Sequence, residues 1–176
     1  MRTIEMRDDE KPYVEIVDGQ AIPKVSPKHA HGYVQITLGA ILRRCSQSRG
    51  TTASEWRFHV DPGHQDYVPD VAFVSFERLR PLSKEERENP SFAPDVAVEI
   101  RSPSDKPAIL QRKIDVYLLR GSLVVLEVDP TPRTVVVHER GGAIRRYAAG
   151  ERLTSETLPW LEFDVAEAFE GLDALE

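Results

Sequence analysis

The chain has 176 residues, of which 40% are hydrophobic, and its 23 Lys and Arg against 29 Asp and Glu give a formal net charge of −6. This length and composition suit one α/β domain, which we expect over residues 13–176, after a polar N-terminal segment at residues 1–12. The negative charge excludes a general coat for nucleic acid, whose affinity comes from neutralising phosphates, so that any contact with DNA must be local.

Other features of the composition exclude further classes of protein. No stretch approaches the roughly 20 apolar residues that span a bilayer, and the polar start lacks the apolar block of a secretory signal, so we expect a cytoplasmic protein. The single cysteine, Cys45, excludes an internal disulfide and a zinc site built from two thiolates. Two groups of arginines are candidate basic patches, or simply solvated faces: Arg43, Arg44 and Arg49, and Arg140, Arg145 and Arg146.

Hydrophobic patterning predicts a hairpin and a helix at the start of the chain. Two apolar segments, Tyr13 to Val17 and Ala21 to Val25, flank Asp18-Gly19, a dipeptide suited to a tight turn. A helix that ends before Gly50 follows, because apolar residues recur there at helical spacing. Its stripe consists of Val34, Leu38, Ile41, Leu42 and Cys45.

The middle of the chain predicts strands and an excursion. The segment from Thr51 to Asp61 is rich in Thr, Trp, Phe and Val and predicts a strand, and Val71 to Phe76 predicts another. The polar stretch from Ser83 to Pro94 predicts an exposed excursion that could border a site.

The second half of the chain predicts the centre of a sheet. Two Val-rich runs, Val96 to Ile100 and Leu123 to Val128, are typical of strands covered on both faces, and the helix predicted from Pro107 to Arg120 connects them as a parallel pair. Thr134 to His138 and Ile144 to Tyr147 extend the sheet with antiparallel strands, and a short helix closes the chain. The expected fold class is therefore α/β, a mixed central sheet flanked by helices with added β-hairpins.

Two carboxylates and a lysine stand where this pattern predicts burial. Glu99 lies inside a strand, where a charge costs several kcal/mol unless it is paired, protonated or bound to a metal. Asp70 precedes the neighbouring strand. Lys113 lies on the flank of the helix stripe that faces the sheet, which consists of Leu110, Ile114, Tyr117 and Leu118. Hard oxygen ligands beside a cation suit phosphodiester hydrolysis, because Mg²⁺ activates water and the ammonium offsets charge in the transition state.

Short motifs follow one another in a distinctive order along the chain. They are Tyr13-Val14-Glu15-Ile16-Val17-Asp18-Gly19, Ser26-Pro27 with His31, Pro69-Asp70-Val71-Ala72-Phe73-Val74, Pro94-Asp95-Val96-Ala97-Val98-Glu99 with Ser102-Pro103-Ser104, Lys113 with Tyr117, and Val128-Asp129-Pro130. This ordered set resembles the Uma-two family of restriction endonucleases, which belongs to the PD-(D/E)XK nuclease superfamily. The resemblance covers nearly the whole chain and implies a restriction-endonuclease-like fold and a magnesium-dependent or manganese-dependent endonuclease acting on DNA.

The resemblance also implies roles for individual residues. Asp70 and Glu99 match the two acids of the family and would bind Mg²⁺ or Mn²⁺, with the Ile100 carbonyl as a candidate further ligand, and Lys113 matches the family's helix lysine, a stabiliser of the transition state. Candidate supporting residues are His31, Glu15 and Arg101. The usual superfamily lysine lies two residues after the second acid, where this chain has Arg101, which cannot act as a base.

Structural roles are open alternatives for each of these side chains. Glu99 could be neutralised in an ion pair with Arg101 or Lys113, and Arg101 itself is expected to contact a phosphate or to pair with Asp95 at the surface. Glu15 would pair with Lys11 or Lys24 across the hairpin, His31 would cap its helix, and Asp70 would be a turn residue.

Two functions of other classes are also considered. The chain could be a binding or regulatory module that keeps the nuclease fold and acts through a partner protein or as a dimer, since its charge is acidic and the strand lysine is missing. A homodimer is one expectation from exposed strands and the resemblance. A glycosidase using Asp70 and Glu99 is disfavoured, because only 7% of the residues are aromatic and could line a sugar cleft.

Overall fold

The computed structural model describes residues 14–17, 20–23, 28–61, 65–103 and 105–173. The predicted Asp18-Gly19 turn, the Ser26-Pro27 motif and Ser104 lie outside these residues. The strands are β1 Val14–Val17, β2 Gln20–Pro23, β3 Gly50–Ser54, β4 Phe58–Asp61, β5 Gln65–Tyr67, β6 Val71–Ser75, β7 Val96–Ile100, β8 Val124–Asp129, β9 Thr134–Glu139, β10 Ile144–Ala148, β11 Arg152–Thr154 and β12 Glu162–Asp164. The helices are α1 His29–Ser46, α2 Phe76–Leu79, α3 Lys84–Glu88, α4 Pro107–Leu119 and α5 Glu170–Asp173, with a 3₁₀ turn at Val165–Ala168.

A six-stranded mixed sheet forms the centre of the fold. Its strand order is β10-β9-β8-β7-β6-β3, in which β7 and β8 are parallel and the other neighbours are antiparallel. The predicted α/β class with a mixed sheet is therefore confirmed. The parallel pair places Glu99 beside Glu127 in register, so that both carboxylates lie on the same face of the sheet.

The two faces of the sheet bury different apolar layers. One layer packs α1 against the sheet, with Leu38 and Leu42 fully buried against Val98 of β7. The other layer packs α4 on the opposite face, where Ile114 and Tyr117 contact the small side chains of the central strands. Side chains alternate along a strand, so the valines of β7 face α1, whereas Ala97 and Glu99 face α4.

Helix α4 follows the predicted bounds closely. Pro107 stands in its first turn, which suits a residue without an N–H, and Arg120 ends it immediately before Gly121. The N-cap is Lys106, which makes no side-chain capping hydrogen bond. The predicted buried stripe is confirmed for Leu110, Ile114 and Tyr117, and Lys113 is buried with them.

Among the described residues, no helix is both long enough and apolar enough to cross a bilayer.

The segment predicted as one strand from Thr51 to Asp61 is two strands, and that prediction is wrong. Glu55 has a φ of 50°, a left-handed conformation that interrupts an extended chain. Before it, β3 pairs with β6 in the main sheet, and after it β4 turns away to form a separate ribbon with β5. The short β11–β12 ribbon was not predicted either, because its three-residue strands carry too little hydrophobic pattern.

The excursion between Ser83 and Pro94 contains a helix and lies away from the candidate site. Ser83 and Glu86 form a capping box that begins α3. Beyond α3, the Ala93 N–H donates to the Arg120 carbonyl at 3.3 Å, which fixes the loop beside the C-terminal end of α4. The expectation that this excursion borders the site is therefore wrong, because Glu99 lies at the other end of β7.

Candidate active site

The buried side chains of α4 face the Glu99 carboxylate near the end of β7. The Lys113 ammonium donates to Glu99 Oε2 at 2.6 Å, and one turn later the Tyr117 hydroxyl donates to Glu99 Oε1 at 2.8 Å. Positions four apart lie on one helix face, so the same stripe that packs α4 on the sheet brings both donors to Glu99. Each oxygen of this carboxylate therefore has a donor from α4.

A second carboxylate reaches Lys113 from the first strand of the chain. Glu15 lies on β1 and contacts the Lys113 ammonium at 3.0 Å through Oε1 and 3.1 Å through Oε2. Its Oε1 also accepts the Val68 N–H at 2.8 Å. Lys113 thus bridges two glutamates 84 positions apart, which no local sequence pattern could have joined. The structure pairs Glu15 with Lys113, and its predicted partners Lys11 and Lys24 lie outside the described residues.

Asp70 lies next to this bridge, at the entry of β6. Its Oδ2 accepts the Ile100 N–H at 2.7 Å and lies 3.3 Å from His31 Nε2 on the first turn of α1. The Gln35 amide, one turn further along the helix, donates to the Asp70 carbonyl at 2.9 Å. His31 therefore faces the site, and α1 holds Asp70 through its side chain and its backbone.

Burial makes the charges of this cluster strongly coupled. Asp70, Glu99, Glu15 and Lys113 each expose 4–6% of their surface. Burial alone lowers the pKa of Lys113, but the negative charges of Glu99, Glu15 and Asp70 together outweigh it and raise that pKa above its ordinary value. The lysine is therefore a permanent cation at neutral pH and cannot serve as a general base.

The Tyr117 hydroxyl also stays protonated. Burial raises its pKa well above the ordinary value, and the adjacent Glu99 charge raises it further, because both disfavour a phenolate. Tyr117 therefore stays a hydrogen-bond donor to Glu99 at neutral pH.

The donor set fits a divalent cation by chemistry and by charge. Asp70 and Glu99 offer hard carboxylate oxygens, and the Ile100 carbonyl points to the same side of β7 as its N–H, which binds Asp70. With its three carboxylates ionised and one ammonium, the cluster carries two excess negative charges that a divalent ion would balance. The described residues contain no group of three or more His, Cys, Asp or Glu side chains placed to hold a metal. A magnesium ion would therefore keep several water ligands, which is its usual behaviour.

Arg101 is the supporting residue that the structure does not bring into this cluster. Its guanidinium lies 3.4 Å from Glu127 and 3.5 Å from Asp129, both on β8. The predicted surface pair with Asp95 is wrong, since the two positions are six apart at opposite ends of β7, which is about 20 Å in an extended strand. Asp95 instead pairs with Arg78 at 2.8 Å.

The sequence did not reveal two of the polar contacts. Tyr117 was singled out beside Lys113 in the motif set and in the buried stripe of the helix, but without a partner, and Gln35 was not singled out at all. In the structure Tyr117 donates to Glu99 and Gln35 donates to the Asp70 carbonyl. A signal for Tyr117 was present, because a hydroxyl four residues after Lys113 on a sheet-facing stripe must find a buried partner. No comparable signal in the sequence marks Gln35.

The mixed sheet, the two helices that cover it and the acidic pair at the strand ends define a protein with a restriction-endonuclease-like fold. The family described as "Putative restriction endonuclease", Uma2, matches residues 2–166, and the chain belongs to this family. Membership supports a nuclease function, and nucleases of this fold class generally use divalent metal ions.

A solved structure gives the same fold. It is the crystal structure of a putative nuclease belonging to DUF820 from Anabaena variabilis, with a TM-score of 0.80, 21% sequence identity and coverage of 92% of each chain. At this identity the likeness concerns the fold alone. The comparison with curated proteins gives no match.

Proposed function

We propose that the protein is a metal-dependent endonuclease that hydrolyses phosphodiester bonds in DNA. Asp70 and Glu99 bind Mg²⁺ or Mn²⁺, with the Ile100 carbonyl as a further ligand. The observation that carries the proposal is the buried cluster itself, in which one ammonium contacts two of three carboxylates and the negative charge is in excess. Three buried acids with a single lysine are costly for stability, and function accounts for their presence better than packing does.

The chain's own residues divide the work of hydrolysis. A bound divalent ion would polarise the phosphate and activate water. The Lys113 ammonium offsets negative charge that develops on the phosphate, because its raised pKa keeps it protonated. Two side chains of α4, Tyr117 and Lys113, orient Glu99 through hydrogen bonds. The Ile100 N–H and the His31 ring orient Asp70. Arg101 has no role in this scheme, since β8 holds its guanidinium.

Cleavage assays on purified protein test the proposal. Supercoiled plasmid and labelled single-stranded DNA are incubated with Mg²⁺ or Mn²⁺, with a chelator, and with the variant Glu99→Gln. The matched control is Glu127→Gln, which removes the same charge from the neighbouring strand at the position in register with Glu99. We expect cleavage that is lost with chelator and with Glu99→Gln but kept with Glu127→Gln. Equal activity in both variants would contradict the assignment.

A second candidate function is a binding or regulatory module that acts through a protein partner or as a homodimer. The observation that favours it is the state of Glu99, whose two oxygens already accept hydrogen bonds from Lys113 and Tyr117. A module of this kind would bind its partner equally well with Asp70→Asn, with Glu99→Gln and in the presence of chelator. Partner binding that requires the metal would count against it.

The assembly and the location in the cell stay predictions. The β10 strand forms one edge of the main sheet, and Ile144 on it exposes 64% of its surface, which supports the expected homodimer. Light scattering on the purified protein gives the mass directly, and a monomeric mass at micromolar concentration would contradict the dimer. The cytoplasmic location is tested by fractionation of cells that produce the protein.

A further inference from the structure

A pocket of about 420 Å³ lies at the end of α4 that is remote from Lys113. The loop after α3 forms one wall with Ser91 and Phe92, the end of α4 forms another with Leu119 and Arg120, and Arg140 of the β9–β10 turn closes the third side. Leu119 is six residues after Lys113, so the pocket lies about 9 Å further along the helix than the candidate site.

Guanidinium groups converge on this pocket. A methyl group on the Gly121 Cα would lie 3.3 Å from Arg78 Nη2 and 3.8 Å from Arg140 Nη2, so the two cations approach the same point. Asp95 offsets the charge of Arg78 at 2.8 Å. Within the described part of the chain, the Arg140 side chain makes no hydrogen bond or ion pair, whereas Arg120, which also lines the pocket, has an interaction partner.

Like charges that converge repel one another, and an anion between them relieves that repulsion. Arginine is the side chain best suited to a phosphate, because its planar fork donates two parallel hydrogen bonds. Gly121 keeps the space between the two guanidiniums open, because its φ of 125° disfavours a residue with a side chain and a Cβ would crowd Arg78 at 3.3 Å. The centre of the pocket therefore suits a phosphate group.

Two apolar side chains, Phe92 and Leu119, stand beside the polar groups of the same pocket. Phe92 lies under the Arg78 guanidinium, whose carbon is 4.0 Å from the ring centroid, and Leu119 exposes 76% of its surface. An apolar side chain this exposed at the rim of a basic pocket offers a contact surface for a flat apolar group. A phosphate joined to a planar base combines both requirements, because bases bind aromatic and apolar side chains through their faces.

We propose that this pocket binds a nucleotide, with its phosphate on Arg140 and Arg78 beside Gly121 and its base against Phe92 and Leu119. The ligand is either a free nucleotide or the phosphorylated end of a strand, since both present the same chemistry. The pocket lies at the opposite end of β7 from Glu99, so the proposal is independent of the nuclease activity and of any metal.

Calorimetric titration of the full chain in the presence of chelator tests this site. The probes are dAMP, inorganic phosphate, deoxyadenosine and a short 5′-phosphorylated oligonucleotide. The variants are Arg140→Gln and Leu119→Ser, both at exposed positions, and the matched control is Arg152→Gln, an exposed arginine that binds Glu162 and Asp164 on β12.

We expect dAMP to bind more tightly than phosphate or deoxyadenosine. Arg140→Gln should weaken dAMP binding roughly tenfold or more, the effect of losing charge-assisted hydrogen bonds. Leu119→Ser should weaken dAMP but not phosphate, and Arg152→Gln should change neither. Tighter binding of the phosphorylated oligonucleotide than of dAMP would identify a strand end, and the reverse a free nucleotide. Absence of dAMP binding at millimolar concentration, equal binding by Arg140→Gln, or equal affinity for phosphate and dAMP would overturn the proposal.

Discussion

Lys113→Met is the change that most directly tests the charge balance of the buried cluster. Methionine keeps the length and apolar stem of lysine but removes the ammonium that contacts Glu15 and Glu99 at 2.6–3.1 Å. The two buried glutamates then lose the ammonium that they contact. Breaking a buried ion pair in this way costs about 3–5 kcal/mol of stability. For a chain of this size that corresponds to a fall in Tm of roughly 6–20 °C.

Urea denaturation at neutral pH, in the presence of chelator, measures this loss. The first control is Lys84→Met, which removes an exposed lysine from α3 and should change the free energy of unfolding by less than about 0.5 kcal/mol. The second adds Glu15→Gln to Lys113→Met, which removes one uncompensated charge and should restore part of the stability. A loss below about 1 kcal/mol for Lys113→Met, or a double variant less stable than the single one, would refute the charge argument.

Three further predictions concern other groups. Tyr117→Phe removes a hydrogen bond to a charged group and should cost about 1.5–3 kcal/mol at neutral pH. Burial, and after it the Glu99 charge, raises the pKa of the Tyr117 hydroxyl in the folded protein. The difference in free energy of unfolding between the wild type and Tyr117→Phe should therefore narrow as the pH rises above about 10, where the tyrosine of the unfolded chain ionises. Urea denaturation across the alkaline range measures this difference. Gly50→Ala should lower the free energy of unfolding by about 1–3 kcal/mol, since its Cβ would lie 2.2 Å from a β6 carbonyl oxygen. Gly39→Ala, in open space on α1, should instead raise it by up to about 1 kcal/mol. Thermal melts compare the two variants, and equal effects would contradict this reasoning. Mg²⁺ should raise the Tm of the wild type and of Glu127→Gln but not of Asp70→Asn, and an unchanged rise in Asp70→Asn would remove that residue from the metal site.

The sequence predicted the centre of the fold because its signals there are strong. Two continuous Val-rich runs on either side of a well-bounded helix allow few arrangements other than a parallel pair with a crossover. An acid inside such a run cannot be explained by packing, which is why Glu99 could be singled out. The ends of the sheet were harder, because the left-handed backbone at Glu55 that separates β3 from β4 has no marker such as glycine or proline.

The sequence identified the acids of the candidate site, but only some of the residues that contact them. Lys113 and Tyr117 could be placed on one helix face by spacing alone, whereas the contact with Glu15 depends on how a separate hairpin packs beside the sheet. Arg101 shows the opposite error. Its spacing from Glu99 suggested a role near the site, but Glu127 and Asp129 on the parallel neighbour β8 bind it. The sequence predicted that β8 pairs with β7, but not the register that places these carboxylates beside Arg101.

The contact between Glu15 and Lys113, which are 98 residues apart, also has a consequence for the order of events during synthesis. At about 5–20 residues per second, the ribosome adds Lys113 roughly 5–20 s after Glu15. Until then Glu15 cannot contact the Lys113 ammonium, and its carboxylate stays hydrated because burial of an unpaired carboxylate is unfavourable. The hairpin that carries it therefore docks late, and the buried ion cluster forms only after α4 has left the exit tunnel.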